Sequence, residues 1–174
     1  FNNYYTVRFF TGLRTAEIDG LQWRYVDFQR RQILIRETWV GGKLDYTKND
    51  GSQREIDMSE PVYQALVGQR EKTGTGQFVF CTREGTPHAY RNINDRVWYP
   101  LLRHLGLRRR RPYQTRHTAA TLWLAAGENP EWIARQMGHT TTEMLFRVYS
   151  RYVPNLTRRD GSAFDNLIKA NLKA

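Results

Sequence analysis

Arg14 follows Thr11-Gly12-Leu13 at the start of an expected helix, where its side chain can leave the apolar face and point to a ligand. A guanidinium is planar, permanently charged and able to donate two parallel hydrogen bonds, so carboxylates and phosphates are its natural targets. The competing reading is a surface arginine paired to Glu17, and position alone favours it. A second candidate is Arg116, in Tyr113-Gln114-Thr115-Arg116-His117-Thr118. On a helical wheel Thr118, Thr121, Leu122 and Ala125 share one face. Arg116 falls roughly 170° from its centre at about 100° per residue, so it is expected to face away from the packed side. His117 lies on the flank of that face, where a hydrogen-bonded structural role is favoured over phosphate binding. Lys48 falls on an expected hairpin, a place where lysine ordinarily serves solubility, and Lys43 is a nearby competitor.

The balance of the whole chain agrees with an anionic target. Its 174 residues carry 27 Lys and Arg against 17 Asp and Glu, a formal charge of +10. Such a surplus favours a polyanion through counterion release, with nucleic acid the first suspect, although ribosomal and membrane-surface proteins share it. The single cysteine, Cys81, excludes an internal disulfide and any Cys-based zinc site, which makes a reducing cytoplasm the natural compartment. No run of about 18 apolar residues appears, so the chain is expected to be soluble and to stay off membranes. It opens in what reads as the middle of an amphipathic helix, which implies an N-terminal portion of a longer protein outside this chain.

The elements that must position these residues are expected to be mostly helical. Residues 4 to 10 are dense in apolar and aromatic side chains, Thr11-Gly12 breaks the run, and a short helix resumes from Arg14 to Leu21. Trp23 to Val40 clusters β-formers around a polar Arg30-Arg31 turn, and Arg54 to Met58 supplies a third strand after Asn49-Asp50-Gly51. The result is a small three-stranded antiparallel sheet with a hairpin at about 43 to 52. Helices follow at about 59 to 71 and 90 to 105, with a short strand from Phe78 to Cys81 between them. The run Arg108 to Arg111 ends at Pro112 and precedes a helix from Gln114 to Ala126, which Gly127 stops. Asn129-Pro130-Glu131 reads as N-cap, first-turn proline and dipole-favourable acid, opening a helix that ends at Gly138. A last core helix spans about Thr141 to Tyr152. The fold class is therefore α+β, with residues 1–153 as one domain and residues 154–174 as a C-terminal tail.

Three blocks in this order resemble the tyrosine recombinase, or phage integrase, family. The first is Thr11-Gly12-Leu13-Arg14-Thr15-Ala16-Glu17-Ile18, followed by Leu21, Trp23 and Asp27. The second resembles the family's His-x-x-Arg-His motif, with Tyr113 where histidine is usual. The third, Met137-Gly138-His139-Thr140-Thr141-Thr142 followed by Tyr149, resembles its Gly-His motif and nucleophilic tyrosine. The spacing from His139 to Tyr149 is one position longer than in many members, and Tyr152 lies one helical turn further on. Tyr149 is preferred because Val148 to Ser150 resembles the family's tyrosine context and Tyr152 abuts Val153-Pro154. Lys48 sits where the family keeps a mobile catalytic lysine. Singly each block is weak; together they cover about four fifths of the chain.

The resemblance implies a catalytic domain that cuts and rejoins DNA through a 3′-phosphotyrosyl intermediate. Phosphodiester exchange passes through a phosphorane-like state with extra charge on the non-bridging oxygens, which preorganised cations stabilise. Arg14 and Arg116 would grip those oxygens, with His139 as a further donor. A tyrosine hydroxyl has a pKa of about 10 and needs that positive field to attack. Lys48 would protonate the leaving 5′ oxygen. With Tyr113 in the usual base position, His139 or a phosphate oxygen must take the nucleophile's proton, or Tyr113 only orients the phosphate; His117 is accessory. The chemistry calls for no metal, and the absence of a Gly-rich phosphate loop agrees with no nucleotide cofactor.

Two rivals stand beside this reading. Residues 130 to 152 resemble a helix-turn-helix, which accounts for the charge but leaves Arg14, Lys48 and Arg116 without a purpose. A type IB topoisomerase shares the chemistry, but the Gly-His block resembles integrases more closely. The expected partners are double-stranded DNA and further copies of the chain, a tetramer on paired sites, in the cytoplasm at the bacterial nucleoid. The tail carries Phe164, Leu167, Ile168 and Leu172 at helical spacing and is expected to dock on a neighbouring protomer or on its own domain.

Overall fold

A computed structural model describes residues 1–46, 53–149 and 168–169. Lys48, Tyr152 and nearly all of the expected tail lie outside the described residues.

The described chain is helical with two small antiparallel sheets. Helix α1 (Asn2–Thr11) ends where Gly12 turns left-handed at φ 62°, and α2 (Thr15–Asp19) follows. Strands β1 (Val26–Asp27), β2 (Gln32–Ile35) and β5 (Arg54–Asp57) form the expected three-stranded sheet in the order β1-β2-β5. Its register pairs Ile33 with Ile56 and Ile35 with Arg54. The second sheet departs from expectation. Strands β3 (Glu37–Val40) and β4 (Lys43–Tyr46) make a separate ribbon that pairs Val40 with Lys43. Its two-residue turn, Gly41-Gly42, has φ of 58° and 81°. Positive φ at both turn residues matches the twist of a tight hairpin, and glycine adopts it without a Cβ penalty.

Helix α3 (Glu60–Thr73) matches the expected 59–71. The Phe78 to Cys81 segment is not a strand; it makes two isolated bridges, Gln22 with Phe78 and Cys81 with Pro87. The expected helix over 90–105 is α4 (Tyr90–Ile93) and α5 (Tyr99–His104) joined by a π-turn at Asn94–Trp98. Then come α6 (Gln114–Ala125), α7 (Pro130–Met137) and α8 (Glu143–Tyr149). The Asn129 side chain accepts from the backbone N–H groups of Glu131 and Trp132, and Gly138 closes α7 at φ 65°, as its caps foretold. No helix among the described residues is long and apolar enough to cross a membrane.

The core has two parts. The larger gathers Tyr4, Val7, Leu13 and Ile18 with the sheet isoleucines and α3. The smaller joins α6, α7 and α8 through Ala120, Leu124, Ile133, Met137, Leu145 and Tyr149. The ends of α1 and α7 meet along the seam between them, and there the candidate site is built.

Candidate active site

Helix α7 ends in carbonyls that have no intrahelical partner. Three consecutive ones are each met by a different arginine. Arg54 Nε donates to the Gln136 carbonyl at 2.8 Å, Arg116 Nη2 donates to that of Met137, and Arg14 Nη2 donates to that of Gly138 at 3.3 Å. Arg116 also donates to the Gly12 carbonyl at 2.6 Å, at the C-terminal end of α1. Two helix C-termini, each carrying partial negative charge, thus point at one guanidinium. Gly138 is required at the turn by its left-handed φ and by space, since a Cβ there would lie 3.0 Å from Arg54 Nη1.

This overturns the helical-wheel expectation for Arg116, which is 1% exposed rather than turned away from the packed side. Helix α6 packs through Thr115, Arg116, Ala119, Ala120 and Leu124, whereas Thr118 and Leu122 face outward. A wheel ranks side chains by polarity and cannot show main-chain acceptors contributed by other helices. Arg14 pairs with Glu17 at 2.7 Å, as its surface reading expected, and with 37% of its side chain exposed it also reaches the Gly138 turn.

Glu17 joins the cluster. Arg54 grips its two oxygens, both at 2.9 Å, and its Oε2 accepts from the Arg14 backbone N–H at 2.7 Å. Burial alone would raise this carboxyl; the hydrogen bonds and charge of Arg54, with the charge of Arg14, bring it down to about 2. Arg14, Arg54 and Arg116 therefore gather around one carboxylate, and main-chain carbonyls take up further donors of each. The site keeps a surplus of positive charge. Burial first, then the charges of Arg14 and Arg54, lower the Arg116 pKa from its ordinary value. The Arg116 Nε is buried without a hydrogen-bond partner among the described residues.

His139 stands against this cluster, its Nε2 3.4 Å from Arg116 Nη2. Burial and then the charge of Arg116 push its pKa down to about 4, so the ring is neutral near pH 7. If Nε2 accepts from Arg116, the proton lies on Nδ1, which is buried and without a partner among the described residues. Tyr149, 4% exposed, sits in the smaller core. Burial raises its hydroxyl pKa, while the charge of Arg116 lowers it. His117 packs its ring 5.5 Å from that of Tyr149 and 5.3 Å from that of Tyr113. Its expected hydrogen-bonded role is replaced by aromatic packing, because its edge of α6 faces two phenol rings. Tyr113 is exposed. The structure thus brings Arg14, Arg116, His139, Tyr149, His117 and Tyr113 to one locality, while Lys43 lies exposed on β4.

Three buried groups escape a reading of motifs: Arg54, Glu17 as a ligand of two arginines, and Arg8. Among the described residues, no group of three or more His, Cys, Asp or Glu is placed to hold a metal ion.

A profile of the phage integrase family matches residues 3–155. The chain belongs to the phage integrase family. Among its family relatives, the prophage integrase IntR of Escherichia coli K12 is 28% identical, over 88% of this chain and 44% of that protein. The transposase from transposon Tn916 of Enterococcus faecalis is also 28% identical, over 80% of this chain and 39% of that protein. The chain spans less than half the length of these curated relatives. The family fold is shared with the Tn1549 transposon integrase solved in complex with a circular intermediate DNA, at TM-score 0.79 and 23% identity, covering 97% of this chain and 58% of that one. XerA recombinase shares it at TM-score 0.66 and 20% identity, covering 95% and 54%.

The site titrates in a way that can be checked. Glu17 and His139 have depressed pKa values in the fold, about 2 and about 4 against 4.5 and 6.5. Each contributes stability that is full above its unfolded value and is lost as pH falls through its folded one. Asp19 runs the other way: burial raises it from 3.8 to about 6, so its contribution is full below 3.8 and is lost as pH rises through about 6. Between pH 6.5 and 4 the effects of His139 and Asp19 oppose each other. Below pH 4 the loss from Glu17 is left. Thermal melting is expected to change little down to pH 4 and to fall steeply below it, with a shallower acid slope in Glu17→Gln. Equal slopes in the two proteins would assign the acid limb to other carboxylates.

Proposed function

We propose that this chain is the catalytic part of a site-specific DNA recombinase that cleaves and rejoins DNA through a 3′-phosphotyrosyl intermediate. The observation that carries this reading is the arginine cluster at the α7 C-terminus, where cations are fixed by main-chain carbonyls and keep unspent charge. Such preorganised donors suit a phosphorane-like state, whose extra charge lies on the non-bridging oxygens. Arg14 and Arg116 bind those oxygens, and neutral His139 is a further donor or receives the nucleophile's proton. Tyr149 attacks phosphorus, and Lys48 protonates the 5′ oxygen as it leaves. The helix-turn-helix reading leaves a buried guanidinium held between two helix C-termini without a purpose. The test is a denaturing gel of the chain incubated with a nicked half-site: a covalent 3′ adduct is expected, and binding without an adduct would favour the non-catalytic reading.

The same reading includes double-stranded DNA as substrate and a homotetramer on paired sites. The outward face of α6 supports a role for residues 154–174. Thr118, Thr121 and Leu122 line a groove of about 530 Å³ with Val148 and Tyr149, and Leu122 is 51% exposed. An apolar stripe of the tail, docked there from a neighbouring protomer, would cover it. Truncation after Gly161 is expected to weaken assembly on paired sites while leaving monomer melting unchanged. A large loss of monomer stability would place the tail on its own domain.

A further inference from the structure

We propose that Arg8 is a positioning residue that sets the mutual placement of Arg14 and Arg116 by holding the threonine beside each of them. The inference rests on the recombinase reading. Arg8 lies in the last turn of α1 and is 1% exposed. Its Nη2 donates to Thr15 Oγ1 at 2.5 Å, one residue after Arg14, and its Nε donates to Thr115 Oγ1 at 3.1 Å, one residue before Arg116. Its Nη1 donates to the Tyr4 hydroxyl at 2.9 Å, which in turn donates to Asp19 Oδ1 at 2.8 Å.

Each link fixes an orientation. The Thr115 hydroxyl accepts from Arg8 and donates to the Pro112 carbonyl at 2.8 Å, which ties the loop before α6 to the same guanidinium. Tyr4 transmits the charge of Asp19, the carboxylate at the end of α2. One planar cation thus spans α1, the start and end of α2, and the first turn of α6. The elements carrying the two site arginines have no covalent link shorter than the hundred or so residues between them, so their relative placement depends on such contacts. A fork with donors in fixed directions can hold all of these acceptors at once, whereas an ammonium can hold only some of them.

Arg8 is expected to act on the rate of chemistry and not on the amount of active protein. The experiment follows single-turnover cleavage of a nicked half-site by the unmodified chain, Arg8→Met, Arg8→Lys, Thr115→Val and Arg8→Met/Thr115→Val. Arg8→Met is expected to lower the cleavage rate constant about 10²-fold, the scale of a displacement of about 1 Å in a reacting constellation. The final fraction of protein in adduct and the half-saturating DNA concentration stay near those of the unmodified chain. Arg8→Lys recovers part of the rate. Thr115→Val costs less and adds little in the Arg8→Met background, because both remove one link. If Arg8→Met fails to fold, Arg8→Met/Asp19→Asn removes both buried charges and carries the same comparison. A lower adduct fraction at an unchanged rate constant, or additive losses, overturns the inference and leaves Arg8 a stability residue. No adduct from the unmodified chain overturns the recombinase reading, and this inference with it.

Discussion

Replacing Tyr149 by phenylalanine is expected to abolish covalent attachment to a nicked half-site while leaving DNA binding nearly intact. The ring of Tyr149 is buried among Ala120, Leu124, Ile133, Met137 and Leu145, and phenylalanine keeps that packing. What disappears is one hydroxyl, whose net contribution to a phosphate-dominated interface is about 1 kcal/mol, or about fivefold in affinity. The expected loss of chemistry is of another order, because on the proposed reading the Tyr149 oxygen itself forms the phosphoester bond. Filter binding and the denaturing gel separate the two quantities on the same samples. An adduct that persists in Tyr149→Phe and vanishes in Tyr152→Phe would move the nucleophile three positions along the sequence.

The second large effect belongs to Lys48. Arg54, six positions further along the sequence, is pinned to Glu17 and the Gln136 carbonyl. The 5′ oxygen is a poor leaving group unless protonated, and a positioned general acid contributes about 10² to 10⁴ in rate. Lys48→Ala is expected to slow cleavage by that factor. When sulfur replaces the bridging 5′ oxygen the leaving thiolate needs little protonation, so Lys48→Ala should recover most of its rate on that substrate. Arg14→Ala should stay slow on both, because its proposed target is the non-bridging oxygens. An unrescued Lys48→Ala would make Lys48 a phosphate clamp, and rescue of Lys43→Ala would move the acid to that position.

Much of the fold was legible because its signals are local. Asn129-Pro130-Glu131 and Gly138 name both ends of α7 within ten residues, and the caps form as the residue types require. The β3-β4 ribbon was missed although Gly41-Gly42 between β-formers is a hairpin signal, because the β-rich run before it was read as one strand. The types of the site residues were legible only through the order of three blocks. Their placement was not, since it depends on partners far along the chain: Arg116 meets Gly12 across 104 residues, and Arg54 meets Gln136 across 82. For Arg8 a faint signal existed, an arginine inside the apolar run from Tyr4 to Phe10. A charge in such a run is either turned to solvent or paired within the core, and periodicity cannot choose between them.

The acceptors that hold Arg54, Arg116 and Arg14 at the end of α7 belong to the main chain, so point substitution cannot delete them. Mutational drift at Gln136 or Met137 can alter packing yet leaves the carbonyls in place. A change of phase is different. One residue inserted or removed between Pro130 and Gly138 would rotate the helix end by about 100° and aim those carbonyls elsewhere. This helix end is thus expected to be more tolerant of lettering than of length, Gly138 apart, and a library of single-residue insertions and deletions across 130–138 should lose cleavage far more uniformly than a library of substitutions.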